Sequence, residues 1–561
     1  MEKIERRKFI KLGGAATVLT LSWPLLSSCT EGSTDKKPLK ANPGFNPDIE
    51  IELTARENRL PFFPDSETNF WSFDSKLIKG EASVLQKIEN SYLGPVIRAR
   101  KGQKIRIHFK NELPEESIVH WHGMHVPHVY DGHPTDVITN GQTYVYEFEI
   151  MNRAGTYWFH PHPHGRTGPQ VYNGLAGMFI VTDEEEEKLN LPTGEFDVPV
   201  VIQDRTFDAD GQLVYLDGGG GMQGKMRGFL GEQIVINGKN DSVLSLKSGC
   251  RYRLRLLNGS DSRFYKLGWE DGTPLTIIGI DGSLLDMPKT MPYAMLAVAK
   301  RLDLWVDLTD RPVGTEMKLK SLPFSAGMMG GGMMDGGMMG GNDKALPLGG
   351  AYALFSIKID QEDTNDFVLP AQLAPFNKLA ASSAINEQNP RNFKFFMERM
   401  KWTINGNTWE PREATDQETV KLDTTEIWEL VNSGGGMMGG GGMMGGGGMM
   451  GGGGMMGNGG MMGGKDEGGG MGNMMQMPHP IHIHQVQFNI LERDTSAMDA
   501  TVWNSIKEGF IDEGWQDTVL VMPGMKIKII MRFEDFKGLF VYHCHNLEHE
   551  DMGMMRNYSI I

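Results

Sequence analysis

The stretch Val541-Tyr542-His543-Cys544-His545-Asn546-Leu547-Glu548-His549, with Met554 five residues beyond, puts four metal-binding side chains into nine residues. Gly538-Leu539-Phe540 ahead of it reads as the start of an extended strand. Successive side chains of a strand point to opposite faces, so His543 and His545 face one way and Cys544 the other. One strand can therefore serve two metal sites. On the Cys544 side, His549 and Met554 are close enough in sequence to complete a thiolate, imidazole and thioether set, a soft donor mixture that suits an electron-transfer copper.

Strand signals extend through the chain. Lys104-Ile105-Arg106-Ile107-His108-Phe109, Tyr144-Val145-Tyr146-Glu147-Phe148-Glu149-Ile150 and Lys526-Ile527-Lys528-Ile529-Ile530-Met531 alternate with period two, and long helical periodicity is scarce. An all-β chain of sandwich domains follows. Internal repeats set the number of domains. The run from Ile97 to Asn111 has counterparts that end at Asn258 and at Asn432, and Ile236-Asn237-Gly238-Lys239 recurs as Ile404-Asn405-Gly406-Asn407. Gly155-Thr156-Tyr157-Trp158-Phe159-His160-Pro161-His162 matches the Gly538 to His545 stretch at its Gly, aromatic and His positions. Three related domains are expected, at 48–183, 195–360 and 392–561, with 361–391 as a link. Two Gly/Met-rich inserts interrupt them, at 327–341 and 434–477, and hold 20 of the 39 methionines. Glycine at this density predicts mobile segments without a core of their own.

Ten of the fifteen histidines fall in four motifs: His120-Trp121-His122, His160-Pro161-His162, His479-Pro480-Ile481-His482-Ile483-His484, and His543-Cys544-His545 with His549. Two motifs lie in the first domain and two in the third. Each His-x-His on a strand presents two imidazoles on one face. Four such pairs, meeting where the first domain joins the third, supply eight imidazoles, enough for three coppers.

The N-terminus is read as separate from this fold. Glu5-Arg6-Arg7-Lys8-Phe9-Ile10-Lys11 and the apolar run that follows predict a twin-arginine export signal over residues 1–28. Leu26-Ser27-Ser28-Cys29 is similar to a lipobox, which predicts a periplasmic protein with lipid on Cys29 and residues 29–47 as the tether to the membrane. The formal charge is −16, and loss of residues 1–28, with five basic and two acidic side chains, leaves −19. That acidity excludes nucleic acid as a partner. With Cys29 and Cys544 committed, Cys250 is a small core residue.

These motifs resemble the multicopper oxidase family of three cupredoxin-like Greek-key sandwiches, across essentially the whole mature chain. The resemblance implies four copper ions and O2 as electron acceptor. His479, Cys544, His549 and axial Met554 would hold the type 1 copper. His120 and His482 would hold the type 2 ion, and His122, His160, His162, His484, His543 and His545 the type 3 pair. Met552 and Met555 compete with Met554, whose spacing from Cys544 fits better. Asp131 and Glu550 match positions that serve the family as proton relays. His125, His128, His133 and His164 are either hydrogen-bond partners of the ligands or surface residues at the mouth of the site, and His108 is structural.

The reductant depends on what covers the type 1 site. The longer insert leads straight into His479, and thioethers prefer Cu(I) to harder ions. Met437, Met438, Met443, Met444, Met474, Met475 and Met477 are therefore expected to capture Cu(I) for oxidation to Cu(II), which resembles the cuprous oxidases of copper tolerance. The alternatives are a laccase acting on small organic reductants, a ferroxidase, a copper-sequestering lipoprotein and a copper-free cell-division relative of the same fold. A nitrite reductase is disfavoured because histidines flank Cys544 on both sides. A monomer is expected.

Overall fold

Short runs of alternating apolar residues form strands throughout, in six sheets drawn two from each third of the chain. The computed structural model describes residues 38–216, 221–327, 344–432 and 476–561. The expected export signal, Cys29, most of the first insert, and Met437, Met438, Met443, Met444, Met474 and Met475 lie outside those residues.

In the first third, a sheet ordered Ser66–Lys79, Ile49–Phe63, Lys104–Asn111, Thr143–Glu149 shares one core with a second sheet that ends Gly177–Thr182, Gly155–Pro161, Val119–His122. The last third repeats the plan. One sheet runs Lys401–Ile404, Arg391–Glu398, Thr424–Asn432, Lys526–Phe533, Phe488–Asp494, and its partner places Gly538–Cys544 between Met555–Ile560 and His479–Ile483. Between them in sequence, a six-stranded and a five-stranded sheet enclose a core that contains Cys250. In all three thirds the first long strand runs parallel to the strand of the repeat: Ile49–Phe63 with Lys104–Asn111, Asp197–Arg205 with Arg251–Asn258, and Arg391–Glu398 with Thr424–Asn432. The chain is thus the all-β set of sandwiches that its periodicity predicts. Its longest described helices have seven residues, Gly221–Arg227 and Ala500–Ile506, and no helix among the described residues is long and apolar enough to cross a membrane.

The repeated residues do equivalent jobs. Asn111, Asn258 and Asn432 each end a strand, are buried, and donate through Nδ2 to two backbone carbonyls, those of Glu115 and Ile138, of Arg263 and Leu296, and of Met477 and Val521. Asn237-Gly238 and Asn405-Gly406 have positive φ throughout, the requirement of a tight hairpin turn. In each turn the Asn side chain also bonds the neighbouring strand, at Val201 and Pro199 and at Lys394 and Asn392.

Buried charges tie the thirds together. Arg98 and Arg255 both donate to Asp197, and Arg253 to Glu186 and Asp303. Arg301, fully buried, donates to the Thr156 carbonyl of the first third and to both carboxylate oxygens of Asp517 in the last.

Candidate metal centre

All four histidine motifs sit at the ends of strands, paired two by two. Val119–His122 lies antiparallel to Gly155–Pro161 with His120 opposite His160, and His479–Ile483 lies antiparallel to Gly538–Cys544 with His482 opposite His543. His162, His484 and His545 each follow the last strand residue, so their rings project from the sheet ends into one shared space. The structure gathers the eight imidazoles into three trios, each with ligand atoms within 4.8 Å of one another: His120, His122, His482; His122, His160, His545; and His162, His484, His543. All eight are fully buried.

Their hydrogen bonds show which nitrogens are available, with protons assigned from the network. His120 donates from Nδ1 to the Asp131 carbonyl at 2.7 Å and His482 from Nδ1 to the Asp517 carbonyl at 2.8 Å. Both Nε2 lone pairs then confront each other at 3.3 Å. His543 Nε2 lies 3.2 Å from both His162 Nε2 and His484 Nε2. His122 donates from Nε2 to Asp517 Oδ1 at 3.1 Å, which leaves its Nδ1 without a partner, as are His160 Nε2 and both nitrogens of His545. Lone pairs held face to face and buried without partners are costly unless a cation lies between them. The donor set is all imidazole, which suits copper. Burial holds most of these rings neutral, with His160 lowered to about 4 and His482 to about 3, so they are ready to ligate.

On the other face of the same strand, Cys544 Sγ lies 3.4 Å from His479 Nδ1 and 3.6 Å from His549 Nδ1, all buried. Burial pushes the Cys544 thiol up, so it is a metal that would make the thiolate. Met554 is fully buried in the core cluster that contains Cys544, and its carbonyl accepts from the Cys544 amide at 3.0 Å. Met555 packs instead with Trp409 and Val541, and Met552 only lines the core, so of the three methionines Met554 is the one inside the buried cluster that contains Cys544.

Asp131 and Glu550 flank the histidine cluster. Asp131 Oδ2 accepts from His484 Nδ1 at 2.8 Å, and Glu550 Oε2 lies 3.0 Å from His543 Nδ1, with Oε1 3.6 Å from His162 Nε2. Burial raises Asp131. Burial also raises Glu550, but the His543 and His162 rings beside it outweigh this and hold the carboxyl well below its usual range. The uncommitted histidines divide. His133 Nε2 meets Asn557 Oδ1 at 3.0 Å, His164 stacks on Trp409 at 4.3 Å, His125 bridges the Gln485 carbonyl and Asp535, and His128 lies against Gly538. None of these four joins a ligand trio. His108 pairs with Glu50 on the surface of the first sheet. Met477 is 5% exposed and packs in the third core.

Three residues that matter here carry no sequence motif. Asp517 holds His122 by its side chain and His482 by its carbonyl, Arg301 fixes Asp517, and Trp402 stacks on His549 at 4.5 Å and edge-on to His479 at 4.9 Å.

Sequence models of the multicopper oxidase family match residues 74–186 and 470–560. Over 521 residues the chain is 28% identical to the multicopper oxidase mco of Staphylococcus aureus, covering 92% of this chain and 89% of that protein. A laccase of Bacillus subtilis is 26% identical over 516 residues, covering 83% and 88%. The crystal structure of the McoA multicopper oxidase of Aquifex aeolicus superposes with a TM-score of 0.70 at 31% identity, over 92% of this chain and 97% of that one. The sandwiches, the paired histidine strands and these likenesses agree: the chain belongs to the multicopper oxidase family.

Proposed function

We propose that the chain is an exported cuprous oxidase that couples oxidation of Cu(I) to Cu(II) with reduction of O2 to water, and so detoxifies copper. Four Cu(I) ions, four protons and one O2 give four Cu(II) and two waters. Bound copper would supply one-electron redox at the Cys544 set and multi-electron O2 reduction at the histidine cluster. His479, Cys544, His549 and Met554 are assigned to the type 1 ion, His120 and His482 to type 2, and His122, His160, His545 and His162, His484, His543 to the two type 3 ions. The backbone of His543-Cys544-His545 joins the two sites covalently. Asp131 and Glu550, hydrogen-bonded or adjacent to ring nitrogens of His484 and His543, would hold and pass the protons. The twin-arginine signal and lipid at Cys29 would put the enzyme on a membrane facing the periplasm, as a monomer.

One observation carries the choice of substrate: the Met-rich segment 434–477 leads directly to His479, a ligand of the electron-accepting site. Thioethers select Cu(I) over Fe(II), which prefers carboxylates. The second reading is an oxidase of phenols, favoured by the likeness to a laccase. Removing residues 434–470 and assaying Cu(I) and phenol oxidation side by side separates them. Loss of the Cu(I) rate with phenol oxidation kept supports the cuprous reading, and an unchanged Cu(I) rate sinks it.

A further inference from the structure

Two imidazoles, those of His479 and His549, flank the Cys544 thiol. In both, Nδ1 faces Cys544 Sγ, so the Nε2 edge is turned away from it. The two edges are not equivalent. His549 Nε2 donates to the carbonyl of Met226 at 3.0 Å, and the same carbonyl accepts from Trp402 Nε1 at 2.9 Å. The Trp402 ring lies 4.5 Å from the His549 ring, at 37°. Met226 and Trp402 are 2% and 1% exposed. The His549 edge is thus covered by backbone on one side and an indole on the other.

The covering segment is clamped. Met226 belongs to the helix Gly221–Arg227, which packs against the helix Leu547–Asp551 that carries His549. Just beyond it, Ser262 Oγ donates to the Phe229 carbonyl at 2.5 Å and Asn546 Nδ2 to the Arg227 carbonyl at 3.5 Å. Gly228 has φ +91°, and a Cβ there would run into Ser262 and the Asn546 amide. His479 Nε2 has no hydrogen-bond partner among the described residues, and its ring, itself 1% exposed, lies against Trp402, Phe395 and His549.

We propose that the segment 224–229, with Trp402, is a specificity-determining plug: it closes the His549 edge to bulky organic reductants. At His549 a carbonyl occupies the place that a planar donor would need for contact with the imidazole edge. This rests on the cuprous reading for the identity of the donor that is admitted, but the cover over His549 stands on the geometry alone.

The test is hydroxyl-radical labelling of the copper-loaded full chain, read residue by residue by mass spectrometry, alongside Cu(I) and phenol kinetics. In the wild type, labelling at Met226 is expected to fall below that at the exposed Met400 by about fivefold or more, since labelling of a clamped segment requires local opening. Gly228→Ala, or Ser262→Ala should that variant not fold, is expected to raise labelling at His549 and Met226 at least about fivefold by releasing the clamp. The same variant is expected to raise phenol kcat/KM while Cu(I) kcat/KM stays within about twofold. Labelling of Met226 equal to that of Met400 in the wild type overturns the proposal. So does a variant whose His549 becomes labelled while phenol oxidation stays unchanged. A chain that shows the labelling pattern but does not oxidise Cu(I) keeps the plug and refutes the cuprous reading.

Discussion

Replacing Asp517 by Asn removes one charge and no volume, yet no orientation of the amide can restore what the carboxylate does. In the native chain Oδ1 accepts from Arg301 Nη1 at 2.8 Å, from Thr518 Oγ1 at 3.0 Å and from His122 Nε2 at 3.1 Å, while Oδ2 accepts from Arg301 Nη2 at 2.5 Å. If the amide oxygen takes the place of Oδ1, the NH2 group points at the Arg301 guanidinium. If it flips, the NH2 group points at His122 and Thr518. Either way Arg301, fully buried, loses the nearer of its two carboxylate partners and keeps only Asp281 at 3.6 Å. Breaking a buried pair by removing one partner costs about 3–5 kcal/mol. Loss of the partner that fixes a ligating histidine typically costs about 10–100-fold in metal affinity. Denaturant unfolding of metal-free Asp517→Asn should therefore show a loss of about 3–5 kcal/mol, and the loaded variant should hold less copper under a competing chelator. Stability within about 1 kcal/mol of wild type together with undiminished copper retention would refute the assignment of Asp517 as the support of His122.

Three further outcomes follow from the same geometry. Cys544→Ser should abolish the visible absorption that a copper thiolate gives while leaving copper at the histidine cluster, checked by absorption and metal analysis; a persistent blue band would contradict the Cys544 assignment. Chelation of copper should lower the thermal midpoint, because lone pairs 3.2–3.3 Å apart are left without a cation, and copper at a hundredfold excess over its Kd should restore about 2.7 kcal/mol. Burial pushes Asp197 up, but Arg255, Arg253 and Arg98 more than offset this and hold it at about 2, against 3.8 unperturbed. Its stabilisation, about 2.5 kcal/mol, is therefore full above pH 4 and fades between pH 4 and 2. The stability gap between wild type and Arg255→Met, followed by denaturant titration, should narrow across that window and not above it.

The sequence displayed the centre more completely than its support. A His-x-His on a strand has only one way to aim two rings at one face, so the four motifs could be read as a cluster before any fold was known. The repeats were equally direct, since Asn111, Asn258 and Asn432 mark equivalent strand ends and Asn-Gly marks a tight turn. What stayed hidden depends on distance along the chain or on the backbone. Asp517 lies 395 residues from His122, Arg301 comes from the intervening third, and neither has a signature that separates it from an ordinary ion pair. The cover over His549 is a carbonyl, and a carbonyl belongs to every residue alike. Met477 illustrates the reverse: grouped with the Met-rich insert by composition, it is packed in the third core, with its carbonyl held by Asn432.

In the proposed function, electrons taken from Cu(I) at the Cys544 set reduce O2 at the histidine cluster. The most direct measurement is oxygen uptake by one copper-loaded preparation given Cu(I), Fe(II) and a phenol in turn, with Cu(II) and hydrogen peroxide quantified in the same vessel. The expected result is the highest kcat/KM with Cu(I), one O2 consumed for every four Cu(I) oxidised, and no peroxide. Oxygen uptake that is faster with the phenol than with Cu(I), or that releases peroxide in place of water, would contradict it.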